Sequence, residues 1–225
     1  MLSIPALCWL CRLPLHIAVH GLCSSCLRQL PPLPSLCPCC GLPASSAQPC
    51  GRCIRRPPPW HGMVCASDYV PPLSDWVQQL KFSRVTALRV MLARLLLLKL
   101  LTKRRHELLP RIDLVLSVPL HRRRAWQRGY NQAALLARPL AHWLGCDYRE
   151  AVRRVRYGAA QHALSASARK KNLRGAFRLE MPVRGRHILL IDDVVTTGST
   201  VAQISHLLLA QGAASIQIGC LCRTL

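Results

Sequence analysis

Two adjacent acids and a short hydroxyl-rich loop stand close together in the C-terminal third of the chain. Asp192 and Asp193 follow the apolar run 188–191, which we predict to form a buried strand. The loop after them precedes an apolar helical segment, 201–210, so its backbone N–H groups and hydroxyls can hold an anion at a helix N-terminus. Its glycine allows a positive φ or a close approach to a phosphate. The loop residues are Thr196, Thr197, Gly198, Ser199 and Thr200.

The acid pair has a different task from the loop. Carboxylates repel a phosphate but accept hydrogen bonds from sugar hydroxyls, which suggests a ribose beside the bound anion. Only nine of the 225 residues are Asp or Glu, so two of them side by side at a strand end point to a function. The unit therefore predicts a ribose 5-phosphate site. An ordinary capped loop with two solvated acids is the simpler alternative.

The first 65 residues hold ten of the thirteen cysteines, and eight of these form four C-x2-C pairs separated by 11, 10 and 9 residues. Two such pairs complete a tetrahedral zinc site with four thiolates, so the segment predicts one or two structural zinc ions. Disulfides are the alternative, and the cytoplasmic location argued below disfavours them. The spacing leaves the pairing open: either neighbouring pairs share a metal or the first pair joins the third. The eight predicted ligands are Cys8, Cys11, Cys23, Cys26, Cys37, Cys40, Cys50 and Cys53.

The other cysteines have different predicted roles. Cys39 lies inside the third pair and could replace a ligand, whereas Cys65 is spare. Cys220 and Cys222 lie in an apolar strand pattern and are predicted to be small core residues. The segment around the pairs has little apolar bulk, so metal binding must supply much of its folding free energy. Since it carries only three arginines between its first and last ligands, we interpret it as a scaffold rather than a nucleic-acid reader.

The segment Asp192–Thr200 resembles the phosphoribosyl-diphosphate (PRPP) signature of type I phosphoribosyltransferases. With the cysteine-rich start, nearly the whole chain resembles the ComF family of competence and DNA-uptake proteins, in particular its GntX-type DNA-utilisation branch. The resemblance implies an α/β protein with a type I phosphoribosyltransferase fold, in which helices flank a parallel sheet, and with an N-terminal double zinc-ribbon-like module. We predict the zinc-binding module over residues 1–56 and the phosphoribosyltransferase-like domain over residues 57–225.

Strand and helix patterns alternate through the larger domain, as expected of a parallel sheet with right-handed crossovers. A proline-rich stretch, 54–61, is predicted to be a stiff linker before it. The predicted strands are 64–70, 114–118, 176–179, 188–191 and 215–222, and the predicted helices are 73–80, 85–107, 131–144 and 201–210.

Two more segments are expected near the loop, because ligands of such sheets bind at the carboxyl ends of the strands. One begins at Val118-Pro119 and continues to an Arg-Gly-aromatic-Asn-Gln run; it resembles the ComF pattern, which in this fold implies the diphosphate-side loop. The other, 161–177, resembles the loop that closes over the substrate. Arginines match phosphate oxygens, an aromatic ring stacks on a base, and an amide hydrogen-bonds it. The candidates for diphosphate or nucleic acid are Arg122, Arg123, Arg124, Arg128, Tyr130, Asn131 and Arg169.

The net charge is +22, from 31 Lys and Arg against nine Asp and Glu, which favours a polyanionic partner such as nucleic acid. Solubilising surface charge is the alternative. The first twelve residues lack a positive n-region, so no signal peptide is expected. Arg89, Arg94 and Lys99 interrupt the most apolar stretch, 85–101, so no transmembrane segment is expected either, and we predict a cytoplasmic protein.

Three functions fit these features. One is a phosphoribosyltransferase of unknown acceptor, which would bind PRPP with Mg²⁺; the sequence marks no general base, so its catalytic residues are unknown. Another is a PRPP-sensing regulator. We favour the third, implied by the ComF resemblance: a protein that binds a ribose phosphate and contacts single-stranded DNA during uptake or use of extracellular DNA, with the uptake machinery as a candidate partner. Tyr130, Trp126 or Trp143 would stack on bases, although Trp143 is expected in the core.

Overall fold

The structure is a computed structural model that describes residues 6–107, 109–120, 128–155 and 175–224. Seven strands are present in these ranges: β1 (Gly62–Asp68), β2 (Leu114–Ser117), β3 (Asp147–Arg149), β4 (Val152–Arg154), β5 (Phe177–Leu179), β6 (His187–Val195) and β7 (Ser215–Arg223). The α-helices in them are α1 (Ser24–Arg28), α2 (Gly51–Arg55), α3 (Leu73–Phe82), α4 (Leu88–His106), α5 (Gln132–Leu144) and α6 (Ser199–Ala210).

Five strands form one parallel sheet in the order β1-β7-β6-β2-β3. The short strands β4 and β5 pair antiparallel as a separate ribbon. Each predicted strand and helix is present, with ends that differ by up to four residues. The alternating order of strands and helices therefore produces the parallel sheet that the sequence predicted.

Alternate residues of β6 face the two sides of the sheet. Leu189 and Ile191 join the core that contains residues of α3, α4 and α5, whereas Ile188 and Leu190 join the core that contains residues of α6. All four are buried, as expected of a central strand covered on both faces.

The helix α4 contains the leucine-rich part of the stretch 85–101, and most of its eight leucines are buried. Of the three cations that interrupt this stretch, Arg89 and Lys99 lie exposed and Arg94 is half-buried. Within the described ranges, no helix combines the length and the apolar character needed to cross a bilayer.

The predicted linker does not behave as a free spacer at its end. The backbone N–H of His61 donates to the carbonyl of Ile216 at 2.8 Å, and the Ile216 N–H donates to His61 Nδ1 at 3.1 Å. These bonds attach the start of β1 to β7 and bring the cysteine-rich segment against the edge of the sheet. The proline pattern spans only residues 54–61, so it could not predict this contact with the distant strand β7.

Candidate functional site

The acid pair lies inside the last part of β6, because the strand runs on to Val195 instead of ending at Ile191. Asp192 is in register with Cys220 of β7, and Val194 with Cys222. Both thiol partners are completely buried, which confirms their prediction as small core residues. The ladder to β7 therefore fixes the backbone of the acids at the carboxyl end of a central strand.

The two carboxylates have different partners. Asp192 Oδ1 accepts the N–H of Asp193 at 2.9 Å, and Asp193 Oδ1 accepts the N–H of Val194 at 2.7 Å. The second oxygen of Asp193 lies 3.1 Å from Lys81 Nζ at the end of α3, and both side chains of this ion pair are largely buried. Asp193 is thus neutralised by Lys81, whereas the described residues provide Asp192 with no cation at ion-pair distance.

Burial raises the pKa of Asp192 well above the usual carboxyl value, and the neighbouring charge of Asp193 raises it further. The N–H of Asp193 and the charge of Lys81 oppose this effect without cancelling it. A sugar hydroxyl that donated to Asp192 would stabilise its charged form. The site therefore contains a carboxyl group whose ionisation is linked to the arrival of a hydrogen-bond donor.

Gly198 turns the chain from β6 into α6. It has φ 77° and is the N-cap of α6, in the left-handed region where glycine is favoured, as the sequence predicted. Thr196 and Thr197 are exposed, and the Thr197 hydroxyl lies 2.7 Å from that of Ser199. In the described part of the chain, the backbone N–H groups of Thr197 and Gly198 have no hydrogen-bond acceptor. The loop thus presents free donors beside a helix N-terminus, the arrangement that binds phosphate.

Two of the proposed base-contacting residues have structural partners. Asn131 caps α5: its Oδ1 accepts the N–H of Ala133 at 3.1 Å, and its Nδ2 donates to the carbonyl of Val118 at 3.0 Å. The hydroxyl of Tyr130 donates to the carbonyl of Leu80. These contacts tie the segment after β2 to α3 and α5. A base contact by either residue stays a prediction, and each would have to give up or share its present partner.

Arg128 lies over the ring of Phe82, with 4.9 Å from its guanidinium carbon to the ring centroid. Phe82 is the last residue of α3, directly after Lys81, and its side chain is 70% exposed. An exposed aromatic ring with a cation on it, next to the acid pair, is a surface on which a nucleobase can stack. Sequence analysis missed Phe82 and Lys81, because nothing in the α3 pattern shows that its end meets β6.

The remaining nucleic-acid candidates are only partly described. Arg122, Arg123, Arg124 and Arg169, together with Trp126, lie outside the described residues. Trp143, predicted to be core, is 38% exposed on α5, whereas its neighbour Leu140 is buried. The prediction for Trp143 was wrong because the helix buries its Leu140 face and turns residue 143 away from it.

The eight predicted metal ligands form two separate clusters of four thiols. Within each cluster the sulfur atoms lie within 4.8 Å of one another. The Sγ atoms of Cys11 and Cys23 lie 3.9 Å apart, and those of Cys40 and Cys50 lie 3.8 Å apart. A tetrahedral zinc site with Zn–S bonds of about 2.3 Å requires sulfur atoms about 3.8 Å apart, so both clusters fit the ion. Neighbouring pairs share each site: Cys8, Cys11, Cys23 and Cys26 form the first cluster, and Cys37, Cys40, Cys50 and Cys53 the second.

Backbone N–H groups prepare one thiol in each cluster for metal binding. Burial alone would raise the pKa of Cys8, but N–H groups of Cys11, Cys23 and Leu10 outweigh it and lower the pKa to about 6. Burial would likewise raise the pKa of Cys37. The N–H groups of Cys39, Cys40 and Cys50, at the equivalent positions of the second cluster, outweigh burial and lower it to about 6. One thiol in each cluster is thus prepared as the thiolate, the metal-binding form. Burial raises the pKa of Cys26 to about 12 and also raises the pKa of Cys40 and of Cys53, so binding of an ion would have to displace their protons. Cys39 is not a member of either cluster.

The fold and the acid–loop unit together define a class of protein. The sheet is parallel, helices cover it, and a hydroxyl-rich glycine turn with unpaired N–H groups follows the acids of its central strand. The family model for the "Phosphoribosyl transferase domain" matches residues 130–225, which include this unit. The chain therefore has the type I phosphoribosyltransferase fold, with a zinc-ribbon-like module at its N-terminal side.

Relatives of known name narrow the class to a family. The chain is 56% identical to the DNA utilization protein YhgH of Salmonella typhi, over 100% of both chains. It is 41% identical to competence protein F of Haemophilus influenzae, over 96% of each chain. The chain belongs to this family of DNA utilization and competence proteins, which confirms the resemblance found in the sequence.

Solved structures align with the chain at low similarity. The glutamine PRPP amidotransferase of B. subtilis aligns with a TM-score of 0.40 and 18% identity, covering 64% of this chain and 30% of that chain. The fold assignment rests on the family match and the sheet order instead.

Proposed function

We propose that this protein binds a phosphorylated ribose, PRPP or a similar compound, at the end of β6 and contacts single-stranded DNA beside that site. The observation that carries the proposal is the Gly198 turn, whose free N–H groups and hydroxyls directly follow the acid pair. The 5-phosphate would bind at the loop and the N-terminus of α6. The ribose hydroxyls would donate to Asp192 and Asp193.

Mg²⁺ would enter with PRPP rather than as a resident ion. Magnesium in such sites is held by one or two carboxylates and by substrate phosphates, and the acid pair supplies carboxylate oxygens of that kind. When bound, the ion would neutralise diphosphate charge. Lys81 already neutralises Asp193, so the protein itself sets the charge of the pair near the ribose.

Single-stranded DNA would stack a base on Phe82 and place phosphates near Arg128. The ring is exposed and already carries the guanidinium, so a base could add to its free face or replace the cation. The charge of the chain supports this partner, because nine acids can neutralise at most nine of the 31 Lys and Arg residues. The relatives' names, DNA utilization and competence, agree with such a role. A cytoplasmic protein that receives incoming strands from the uptake machinery is the setting we propose.

Titration calorimetry with ribose 5-phosphate, and with PRPP plus Mg²⁺, tests the first half of the proposal. We expect binding by the zinc-loaded protein and at least tenfold weaker binding by Asp192→Asn, which loses an anionic acceptor for the ribose hydroxyls. Asp147→Asn, at an exposed acid on β3, is the matched control and should bind like the wild type. Absence of binding by the wild type would refute the ribose-phosphate site.

Fluorescence anisotropy with a labelled single-stranded oligonucleotide tests the second half. We expect the affinity to fall steeply with salt, because each neutralised phosphate releases counterions. Phe82→Ala should weaken binding about tenfold, since stacking of a base on an aromatic ring contributes about 1–3 kcal/mol. Ile54→Ala removes another exposed apolar side chain, 68% exposed on α2 and not among the candidates for DNA contact, and serves as the control. Equal effects of the two variants, or a flat salt response, would contradict the proposed DNA surface.

An active phosphoribosyltransferase is the second candidate, favoured by the completeness of the acid–loop unit. In that case PRPP would exchange labelled diphosphate in the presence of the correct acceptor base. Exchange that disappears in Asp192→Asn would establish the enzyme. PRPP binding without exchange, across a panel of bases, would favour the regulator instead.

A further inference from the structure

The second cysteine cluster and the loop of the candidate site are joined by a buried arginine. Arg223, the last residue of β7, is 8% exposed. Its Nε donates to the carbonyl of Cys40 at 2.9 Å, and its Nη1 donates to the carbonyl of Val195 at 3.0 Å. Cys40 is a ligand of the second cluster, and Val195 is the residue directly before Thr196. One guanidinium thus bridges a metal-binding knuckle and the start of the loop.

Trp60 makes a second connection between the same two regions. Its Nε1 donates to the carbonyl of Cys39 at 2.5 Å. Its ring also packs on the loop: a Cβ placed on Gly198 would lie 3.4 Å from Trp60 Cη2. The carbonyls of two consecutive knuckle residues, Cys39 and Cys40, are therefore the acceptors for both bridging side chains.

The knuckle itself is firmly seated on the sheet. The N–H of Met63 in the edge strand β1 donates to the carbonyl of Pro38 at 2.9 Å. A Cβ on Gly41, which has φ 69°, would lie 2.7 Å from Cys65 Sγ and 2.9 Å from Met63 Sδ. The turn that carries the Cys39 and Cys40 carbonyls thus lies close against β1. A metal bound to the second cluster would keep the turn in this position.

The first cluster has no comparable connection. Its close contact is with α4, where a Cβ on Gly21 would lie 2.4 Å from Met91 Cβ. Among the described residues, no hydrogen bond joins the segment 6–28 to the loop 196–200. The two clusters have the same four-thiol composition, but they contact different parts of the larger domain.

We propose that the second cysteine cluster positions the phosphate loop, with Arg223 and Trp60 as the positioning residues. This inference rests on the proposed ribose-phosphate site. A metal in the second cluster would hold the carbonyls of Cys39 and Cys40 in place; these carbonyls hold Arg223 and Trp60, and the two side chains hold Val195 and Gly198. Loss of the metal or of the bridging side chains would leave the loop donors misplaced for an anion. A metal in the first cluster would support the packing of its module on the core that contains α4, with no link of this kind to the loop.

A matched pair of variants tests the proposal. Gly21→Ala and Gly41→Ala each add a Cβ at a φ near 69° and each collide with a neighbouring side chain. We expect Gly41→Ala to weaken ribose 5-phosphate binding at least tenfold at a temperature where both variants are folded. Gly21→Ala should stay within twofold of the wild type. Equal losses in the two variants would overturn the proposal.

Milder variants keep the test informative if Gly41→Ala does not fold. Trp60→Phe keeps a ring against Gly198 and removes the donor to Cys39, and Arg223→Gln removes the bridging cation. Both should weaken binding several-fold, and both should retain two zinc ions per chain by elemental analysis. Unchanged affinity in both variants would contradict the positioning role.

Amide hydrogen exchange of the free protein separates this inference from the proposed function. Peptides covering 192–204 should exchange at least fivefold faster in Arg223→Gln and Gly41→Ala than in the wild type or Gly21→Ala. A wild type that binds no ribose 5-phosphate but shows this pattern would refute the proposed ligand and support the structural coupling. Equal loop exchange in all four proteins would refute the coupling, whatever the ligand.

Discussion

The two cysteine clusters are built to one plan and attached to different parts of the molecule. In the first, the N–H of Cys8 donates to the carbonyl of Leu13 at 2.8 Å. In the second, the N–H of Cys37 donates to the carbonyl of Leu42 at the same distance. Each cluster also contains an isolated antiparallel bridge, Leu7 with Pro14 and Leu36 with Pro43, and a five-residue helix, α1 or α2. Their differences therefore come from their surroundings.

The residue that follows the first C-x2-C pair of each cluster shows this difference most clearly. Arg12 and Gly41 occupy the same left-handed turn, with φ 63° and φ 69°. Arg12 is exposed and stacks on Trp9 at 5.7 Å, so a side chain is accommodated at the cost of backbone strain. Gly41 faces Cys65 and Met63, where no Cβ fits. The same left-handed turn therefore accepts a side chain in the first cluster, where it is exposed to solvent, and requires glycine in the second cluster, where it packs against β1.

Removal of one metal ligand from each cluster should produce the largest effects. Cys8→Ser and Cys37→Ser should each retain one zinc ion per chain and lose the fold of one knuckle pair, since metal binding supplies on the order of 10 kcal/mol to small zinc modules. Only Cys37→Ser should weaken ribose 5-phosphate binding tenfold or more. Zinc analysis and calorimetry on folded protein check this. Equal affinity losses would show that the clusters are not specialised.

The equivalent turn positions should respond with unequal magnitude. Gly41→Ala should lower the free energy of unfolding by about 2–4 kcal/mol, because it combines a left-handed alanine with overpacking. Arg12→Gly should change it by about 1 kcal/mol or less, since relief of strain is offset by a more flexible unfolded chain. Urea denaturation measures both. A large loss in Arg12→Gly would show that the first turn is packed as tightly as the second.

A change in the acid pair of β6 should leave both clusters intact and should move ligand affinity and protein stability in opposite directions. Asp192→Asn should still bind two zinc ions and be more stable than the wild type near neutral pH. The raised pKa means that the native state favours the protonated acid, so the wild type loses stability as the pH rises toward and through that pKa. The advantage of the variant should therefore narrow from pH 8 to pH 5, a range that approaches the ordinary carboxyl pKa of about 3.9. Thermal unfolding at both pH values tests this, and an advantage that grows on acidification would contradict it.

The surface of the first module should give the smallest response. Leu13 is 63% exposed there, so Leu13→Ser should change the free energy of unfolding by less than about 0.5 kcal/mol. Leu22, in the same module and 2% exposed, is the control: Leu22→Ser should cost about 2–4 kcal/mol. Urea denaturation of the pair measures how much of this module is core. Similar costs would show that Leu13 is packed in solution.

Local patterns were sufficient for most of the sheet, for the Gly198 turn and for the two groups of thiols, because apolar runs, helix periodicity and C-x2-C spacing each act over a few residues. They missed the short strands β3 and β4, ended β6 four residues early and placed Trp143 in the core. The pairing of the cysteine knuckles was open in the sequence because spacing sets only which thiols share a turn. The structure resolves it through backbone bonds such as the Cys23 N–H to Cys8 Sγ at 3.5 Å.

The supports of the candidate site were not predictable in the same way. Arg223 follows an apolar strand and reads as a cation at its solvent end, yet it is buried against three carbonyls, those of Cys40, Val195 and Thr224. Trp60 reads as part of a linker. Both positions depend on the packing of the cysteine segment on the sheet edge. Contacts between distant parts of the chain produce no periodic pattern in the sequence, so these two roles could not be predicted from it.

The ion pair between Lys81 and Asp193 would make the last turn of α3 a junction between the two proposed ligands. A ribose that donates to Asp193 must compete with an ammonium group already in place, so its arrival would loosen the end of α3. Phe82 is the next residue along that helix and would move with it. Sugar occupancy and base stacking would then be thermodynamically linked, and each ligand would alter the affinity of the other by the same factor.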